Sequence, residues 1–133
     1  MAPQGSSVLQ PVIAVVDDDV GMRDALSELI EVLDFQSRTF DGGRSLLASY
    51  QPGAFDCVVS DMRMPGMDGL ELQRRLRELD DNLPLIFVTS YDDDITRARA
   101  LELGARNVLV KPVNADRLLD ELVAALESRP PKA

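Results

Sequence analysis

Side chains able to bind a cation or a phosphoryl group follow several short apolar runs in this sequence. Three adjacent aspartates come directly after the apolar residues 12–16. Later apolar runs are followed by an aspartate, a threonine and a lysine. The six side chains are Asp17, Asp18, Asp19, Asp61, Thr89 and Lys111. Neighbouring carboxylates repel one another unless a cation lies between them, and hard ions such as Mg²⁺ prefer oxygen ligands.

The isolated aspartate suggests a group-transfer reaction, since a carboxylate can attack phosphorus and form an acyl phosphate. In that chemistry Asp61 would be the nucleophile, and a bound metal would neutralise phosphoryl charge. Thr89 could donate its hydroxyl to one phosphoryl oxygen, and Lys111 could place its ammonium beside another. Each residue taken alone has a simpler role, as a turn, strand-end or helix-cap residue. Asp18 and Asp19 could each cap the following helix, and we favour that role for Asp19.

The segments that would position these side chains alternate between apolar runs and amphipathic stretches. Strands are predicted over VIAVVD, FQSRTF, FDCVVSD, LPLIFVTS and RNVLVKP. Helices are predicted over VGMRDALSELIEVLD, GRSLLASY, DGLELQRRLRELD, DITRARALELGA and NADRLLDELVAALES. Near-continuous apolar strands are typical of a parallel sheet covered by helices on both faces, so the sequence predicts an α/β domain. Ligands bind beyond the carboxyl ends of such strands, so the polar side chains are expected at one edge of the sheet.

The helix periodicity predicts which side chains face the core. On the first helix these are Met22, Ala25, Leu26, Leu29 and Leu33. On the third helix they are Leu70, Leu72, Leu76 and Leu79, and on the fifth they are Leu118, Leu119, Leu122, Val123 and Leu126. Gly104 is expected to end the fourth helix and Asn114 to cap the fifth.

Composition excludes several classes of protein. The chain of 133 residues fits one domain with a core of its own. It has no histidine, which excludes serine–histidine and cysteine–histidine catalysis and histidine-ligated zinc. Its one cysteine, Cys57, excludes an intramolecular disulfide and is expected to be buried and inert. A formal net charge of −9 disfavours direct contact with nucleic acid or an anionic membrane.

Four segments in order, VVDDD at 15–19, SDMRMPGMDG at 60–69, FVTS at 87–90 and VKP at 110–112, match one family. The chain resembles a receiver domain of two-component response regulators, similar to the chemotaxis receivers, from about Val12 to Glu127. Each segment alone is weak evidence, but four at the ends of the predicted strands are specific. The resemblance implies a five-stranded parallel sheet with the flavodoxin-like order 2-1-3-4-5 and helices on both faces.

The resemblance also implies a role for each polar residue at this edge. Asp61 resembles the phosphoryl acceptor, Thr89 the switch hydroxyl and Lys111 the lysine of the site. The implied ligands of Mg²⁺, or of Mn²⁺ in its place, are Asp17, Asp18, Asp61 and the backbone carbonyl of Arg63. Within that set the resemblance makes Asp18 a direct ligand and Asp17 one that acts largely through water. It further implies a cis peptide bond between Lys111 and Pro112.

One departure concerns the aromatic residue that the family usually carries three positions before the lysine. Val108 occupies that position and has no ring that could move between buried and exposed states. The usual coupling of the threonine to the last two helices, which the aromatic ring provides, is therefore in question. Tyr91 lies two residues after Thr89 and is a candidate substitute in signalling. We hypothesise that Arg63 and Tyr91 flank Asp61 and shield its phosphoryl group from water.

The resemblance implies a signalling domain, not an enzyme, whose only reactions are its own aspartyl phosphorylation and dephosphorylation. The resemblance implies that the phosphoryl group comes from a phosphohistidine. Because the chain has no histidine, that group must belong to a partner, which is a sensor histidine kinase or a histidine phosphotransfer protein. The output is expected to be a phosphorylation-dependent change of surface, recognised by a second copy of the chain or by a downstream protein. No direct contact with nucleic acid or a membrane is expected.

Other interpretations of the same residues explain less of the sequence. A flavin carrier needs a hydroxyl- and glycine-rich loop after the first strand, where this chain has DDDVG. A P-loop enzyme needs G-x-x-x-x-G-K-[ST], which is absent. A phosphatase of the haloacid dehalogenase type shares the D-x-D spacing but leaves DMRMPGMDG unexplained. The main alternative is a receiver-like interaction module that works without phosphorylation. The valine at position 108 favours this alternative. The presence of a complete set of acceptor, acidic pair, threonine and lysine disfavours it.

The boundaries expected are a flexible tail over residues 1–10, a receiver domain over 11–128, and a second tail or the start of a linker over 129–133. The chain is expected either to stand alone or to be part of a longer regulator. The second alternative is suggested by DMRMPGMDGLEL and RSLLASY, which resemble segments of receivers that often precede helix-turn-helix domains. Its apolar runs are too short to cross a membrane, and its start lacks a signal-peptide pattern. The cytoplasm is therefore the expected location.

Overall fold

The computed structural model describes residues 10–91 and 93–128, so the predicted tails lie outside it apart from Gln10. The strands are β1 Val12–Val16, β2 Gln36–Phe40, β3 Cys57–Asp61, β4 Leu85–Thr89 and β5 Asn107–Val110. The helices are α1 Val20–Val32, α2 Gly43–Ser49, α3 Gly69–Leu79, α4 Asp94–Glu102 and α5 Ala115–Ser128. Strands and helices therefore alternate as the apolar pattern predicts. In the described part, no helix is both long and apolar enough to cross a bilayer.

The sheet is parallel, with the order β2-β1-β3-β4-β5, which confirms the fold expected from the sequence. Val16 pairs with Ser60, Asp61 with Val88, and Thr89 with Val110. All the strands run in one direction, so their carboxyl ends meet at a single edge. This register brings the residues that follow β1, β3, β4 and β5 together there.

The core has one apolar layer on each face of the sheet. Phe55, Phe87, Leu72 and Leu76 belong to one layer. The other contains Ile13, Ile30, Leu118 and Leu122. Cys57 is fully buried in the second layer, as expected. Strands β1, β3, β4 and β5 each contribute side chains to both layers, because alternate residues point to opposite faces of the sheet. Both faces are covered by helices, so these strands are apolar without alternation.

Some of the predicted inward-facing positions are wrong. Ala25 is exposed, whereas Ile30 is fully buried because it lies four residues after Leu26 on the same side of α1. Val123 is 39% exposed on α5, where Ala125 is buried instead. The periodic pattern finds the correct helices but misplaces the edges of their apolar faces, because small and large apolar residues adjoin there.

Leu79, predicted to face the core, is 51% exposed at the end of α3. Gln73, a polar residue on the same helix, is fully buried. Its Nε2 donates to the carbonyl of Ala100 at 3.0 Å. A glutamine at this position therefore joins α3 to α4, which the apolar pattern could not indicate.

The helix ends follow local chemistry. Asp19 Oδ2 accepts a hydrogen bond from the Met22 amide at 3.3 Å, and Asn114 Oδ1 accepts one from the Arg117 amide at 3.0 Å. Gly104 follows α4 with φ of +100°, a conformation that favours glycine. The predicted caps and the predicted end of α4 are confirmed.

Gly69 begins α3 directly against the end of β3. Its amide donates to the carbonyl of Met62 at 2.8 Å. A Cβ at this position would lie 2.9 Å from the Asp61 carbonyl oxygen and 3.0 Å from the Cα of Met62. Glycine therefore lets α3 approach the backbone that carries Asp61.

We predict that Gly69→Ala destabilises the fold by about 1–3 kcal/mol, because the backbone atoms it would overlap cannot move freely. Urea denaturation measures this as a lower midpoint. Gly21→Ala is the matched control, since its Cβ would meet only Asp19 oxygens at 4.0 Å. The control should leave stability unchanged or raise it by up to about 1 kcal/mol, since alanine favours a helix more than glycine does. Equal effects of the two substitutions would contradict the close approach.

Candidate functional site

Three carboxylates converge at the carboxyl ends of β1 and β3. Asp61 is the last residue of β3, and Asp17 and Asp18 follow β1. One oxygen of each lies within 4.8 Å of the others. Asp17 and Asp61 are buried, while Asp18 is exposed. The structure thus brings together the three carboxylates that the sequence predicts to meet.

Lys111 is the cation of this cluster. Its Nζ lies 3.1 Å from Asp17 Oδ2 and 3.7 Å from Asp61 Oδ1, and its side chain is only 12% exposed. The peptide bond that joins it to Pro112 is cis, as the family resemblance implies. Three negative charges against one positive charge leave two uncompensated, so the cluster still attracts a cation.

The protonation of Asp61 reflects this crowding. Burial raises the pKa of Asp61 above its usual range, and the negative charge of Asp17 adds to that effect. Lys111 and the backbone N–H groups of Arg63 and Met62 lower the same pKa but do not offset the burial. A cation bound beside Asp61 would stabilise its charged form.

Two side chains that the sequence pattern does not single out fix the backbone of the acidic residues. Arg23 Nη1 donates to the carbonyl of Asp17 at 2.8 Å. Ser60 Oγ donates to the carbonyl of Asp61 at 2.8 Å, inside the protein. The amide of Asp19 donates to Asp17 Oδ1 at 2.9 Å. No local pattern marks Arg23, because its partner lies six residues earlier, across the loop that enters α1.

Thr89 lies at the same edge, buried at 4% exposure. Its Oγ1 accepts a hydrogen bond from the Tyr91 amide and donates one to the Tyr91 carbonyl, both at 3.1 Å. The Thr89 hydroxyl is therefore hydrogen-bonded to the backbone of Tyr91, the residue that the sequence analysis names as a candidate substitute for the aromatic switch.

The side chains of Arg63 and Tyr91, which follow β3 and β4, stack on each other. The guanidinium carbon of Arg63 lies 4.5 Å from the centre of the Tyr91 ring. The Arg63 side chain is 62% exposed and Tyr91 is 59% exposed. An exposed cation–π contact of this kind contributes about 0.5–1 kcal/mol. Shielding of Asp61 by this stack stays a prediction.

Val108 occupies the aromatic-switch position as a buried core residue. Arg97, from α4, donates through Nη1 to the Val108 carbonyl at 2.8 Å. The contact between α4 and β5 at this point is thus made by a guanidinium and a backbone carbonyl. The sequence did not predict this contact of Arg97.

The donor set fits a hard divalent cation. Carboxylate oxygens are the ligands that Mg²⁺ prefers, and this ion usually needs only one or two of them, with water and phosphate in the remaining positions. Asp18 is exposed, so the cluster is accessible to water. The arrangement fits a magnesium-dependent phosphorylation site, and the same oxygen ligands also suit Mn²⁺.

Comparison with known proteins agrees with this geometry. The family model of the response regulator receiver domain matches residues 13–123. The chain is 37% identical over 121 residues to the transcriptional regulatory protein FixJ of Bradyrhizobium diazoefficiens, covering 91% of this chain and 59% of that protein. It is 37% identical over 129 residues to the C4-dicarboxylate transport transcriptional regulatory protein DctD of Pseudomonas aeruginosa, covering 97% of this chain and 28% of that protein.

Solved structures show the same fold. A crystal structure titled FixJ-N superposes with a TM-score of 0.85 at 26% identity, covering 92% of this chain and 98% of that one. The response regulator StyR superposes with a TM-score of 0.82 at 38% identity, covering 90% of this chain and 61% of that one. The chain therefore spans less than two thirds of the regulatory proteins FixJ and DctD that it resembles.

Proposed function

The chain belongs to the response regulator receiver domain family, and from this premise we propose that Asp61 accepts a phosphoryl group from the phosphohistidine of a partner protein. The observation that carries the proposal is the position of Asp61, buried at the end of β3 within reach of Lys111, Asp17 and Asp18. That phosphohistidine would belong to a sensor histidine kinase or a histidine phosphotransfer protein, since this chain has no histidine of its own.

In the proposed reaction an Asp61 carboxylate oxygen attacks the phosphorus atom. A new P–O bond forms while the P–N bond to the partner's imidazole breaks, and the released imidazole nitrogen takes up a proton. Lys111 is close enough to Asp61 to place its ammonium beside a phosphoryl oxygen. Thr89 can donate its hydroxyl to another once it leaves the Tyr91 carbonyl.

The residues proposed to hold Mg²⁺ are Asp17, Asp18, Asp61 and the backbone carbonyl of Arg63. When bound, the ion would supply positive charge to the transferring phosphoryl group. Asp17 is positioned for this by Lys111 and by the amide of Asp19, which hold its two oxygens in place. The same residues catalyse the loss of the phosphoryl group to water, so the domain is proposed to act as a signal and not on an external substrate.

The proposed output is a change of surface that a second copy of the chain or a downstream protein recognises. We place this signalling in the cytoplasm, and we propose no direct contact of this domain with nucleic acid or a membrane. The alternative function is a binding module that works without phosphorylation. The complete acceptor site favours the phosphorylated signal over this alternative.

We predict that incubation with acetyl phosphate and Mg²⁺ adds the mass of one phosphoryl group to the intact protein. Asp61→Asn should abolish this gain, because it removes the attacking oxygen. Asp68→Asn serves as the control, since Asp68 caps α3 and asparagine is an equally good cap. Intact mass spectrometry with and without Mg²⁺ measures all three proteins. A wild-type chain that gains no mass under either condition would favour the binding module.

We further predict that Tyr91→Ala shortens the lifetime of phosphorylated Asp61 by about two- to fivefold, the loss expected when one exposed stacking contact is removed. Tyr91→Phe should leave the lifetime within a factor of about two, because the ring that Arg63 covers remains. The decay of the phosphorylated mass after removal of the donor gives the rate. An unchanged lifetime in Tyr91→Ala would contradict shielding by the stack.

A further inference from the structure

We propose that the side chains of Arg63, Tyr91 and Asp93 form a relay that transmits the state of Asp61 to the first turn of α4. This relay would take the place of the aromatic switch, which Val108 cannot provide. The inference rests on the proposed function, since the relay responds to phosphorylation of Asp61. Three sets of contacts carry it: those at the acceptor, those at Tyr91 and those at the start of α4.

Arg63 contacts both Asp61 and Asp93, the residue that precedes α4. Its backbone N–H donates to the carboxylate of Asp61. Its guanidinium lies over the Tyr91 ring, with Nη2 at 3.8 Å from Asp93 Oδ2. A single residue thus joins the carboxylate that would be phosphorylated to the residue that precedes α4.

Thr89 links the position of Tyr91 to the phosphorylation state. The hydroxyl of Thr89 has one proton, and in this structure it is donated to the Tyr91 carbonyl. Donation to a phosphoryl oxygen on Asp61 would therefore break that hydrogen bond. Tyr91 would lose one of the two hydrogen bonds that hold its backbone to Thr89, which would let the ring under Arg63 shift.

Asp93 is the N-cap of α4. Its Oδ1 accepts hydrogen bonds from the amides of Ile95 and Thr96, at 3.0 and 3.4 Å. Its Oδ2 accepts one from Thr96 Oγ1 at 2.8 Å and is also the oxygen nearest to Arg63. Movement of the Arg63 guanidinium would thus change the electrostatic surroundings of the carboxylate that fixes the first turn of the helix.

None of residues 94–97, which form the first turn of α4, is buried. Ala100 is its only buried residue among those the structure describes, while Ile95 is 78% exposed. Further along, Gln73 donates to the Ala100 carbonyl, and Arg77 donates through Nη2 to the carbonyl of Gly104 at 3.2 Å. The second half of α4 is therefore anchored from α3, whereas its start is held by the Asp93 cap and by the hydrogen bond from Arg97 to the Val108 carbonyl.

The test is amide hydrogen exchange with Mg²⁺ alone and with Mg²⁺ plus beryllofluoride, a phosphoryl analogue that does not depend on the lifetime of the aspartyl phosphate. In the wild-type chain the amides of Ile95 and Thr96 should exchange about fivefold faster with beryllofluoride, as expected when one helix cap is weakened. In Tyr91→Ala this response should fall below about twofold, because the relay is already broken. Tyr91→Phe should restore it.

Leu101→Ala is the control, because Leu101 is 43% exposed on the same helix and lies outside the relay. It should keep the wild-type response. The relay is overturned if Tyr91→Ala responds as the wild type does, or if the wild-type amides do not respond although beryllofluoride is bound, as seen by fluorine NMR. A wild-type chain that binds no beryllofluoride overturns the proposed function and the relay with it.

Discussion

The structure depends on the balance between crowded carboxylates and a single ammonium. Apolar strands β1 and β3 end side by side, and each delivers acidic residues to the same edge of the sheet. Lys111 compensates one of the three charges, and burial makes the remaining repulsion costly for Asp61. A divalent cation would compensate the two remaining negative charges, and in the proposed function it would also neutralise charge on the phosphoryl group that Asp61 accepts.

Much of this arrangement could be predicted from the sequence because its signals are local. The apolar runs identify the strands. The carboxyl ends of β3, β4 and β5 are marked by Asp61, Thr89 and Lys111, respectively. In a parallel sheet such residues meet whatever the details of packing. The caps at Asp19 and Asn114 are equally local and equally predictable.

Other features depend on contacts between distant segments, which the periodicity of apolar residues does not indicate. Gln73 is polar on a helix that the pattern treats as half-exposed, yet it is buried because the Ala100 carbonyl lies opposite. The hydrogen bonds from Arg23 to Asp17 and from Arg97 to Val108 likewise depend on where flexible side chains end in space. Only two of the 14 basic residues are lysines, and the long planar guanidinium of arginine suits such contacts with carbonyls and rings.

The most direct test of the acidic cluster as a metal site is a calorimetric titration of the metal-free protein with MgCl₂, comparing the wild type with Asp18→Asn. We expect one ion per wild-type chain and binding at least about tenfold weaker in Asp18→Asn, since the exposed member of the cluster completes the ligand set. Asp24→Asn, an exposed aspartate of α1 outside the cluster, should bind as the wild type does. Equal Mg²⁺ affinity in the wild type and Asp18→Asn, or no binding at all, would contradict the claim that the acidic cluster is a metal site.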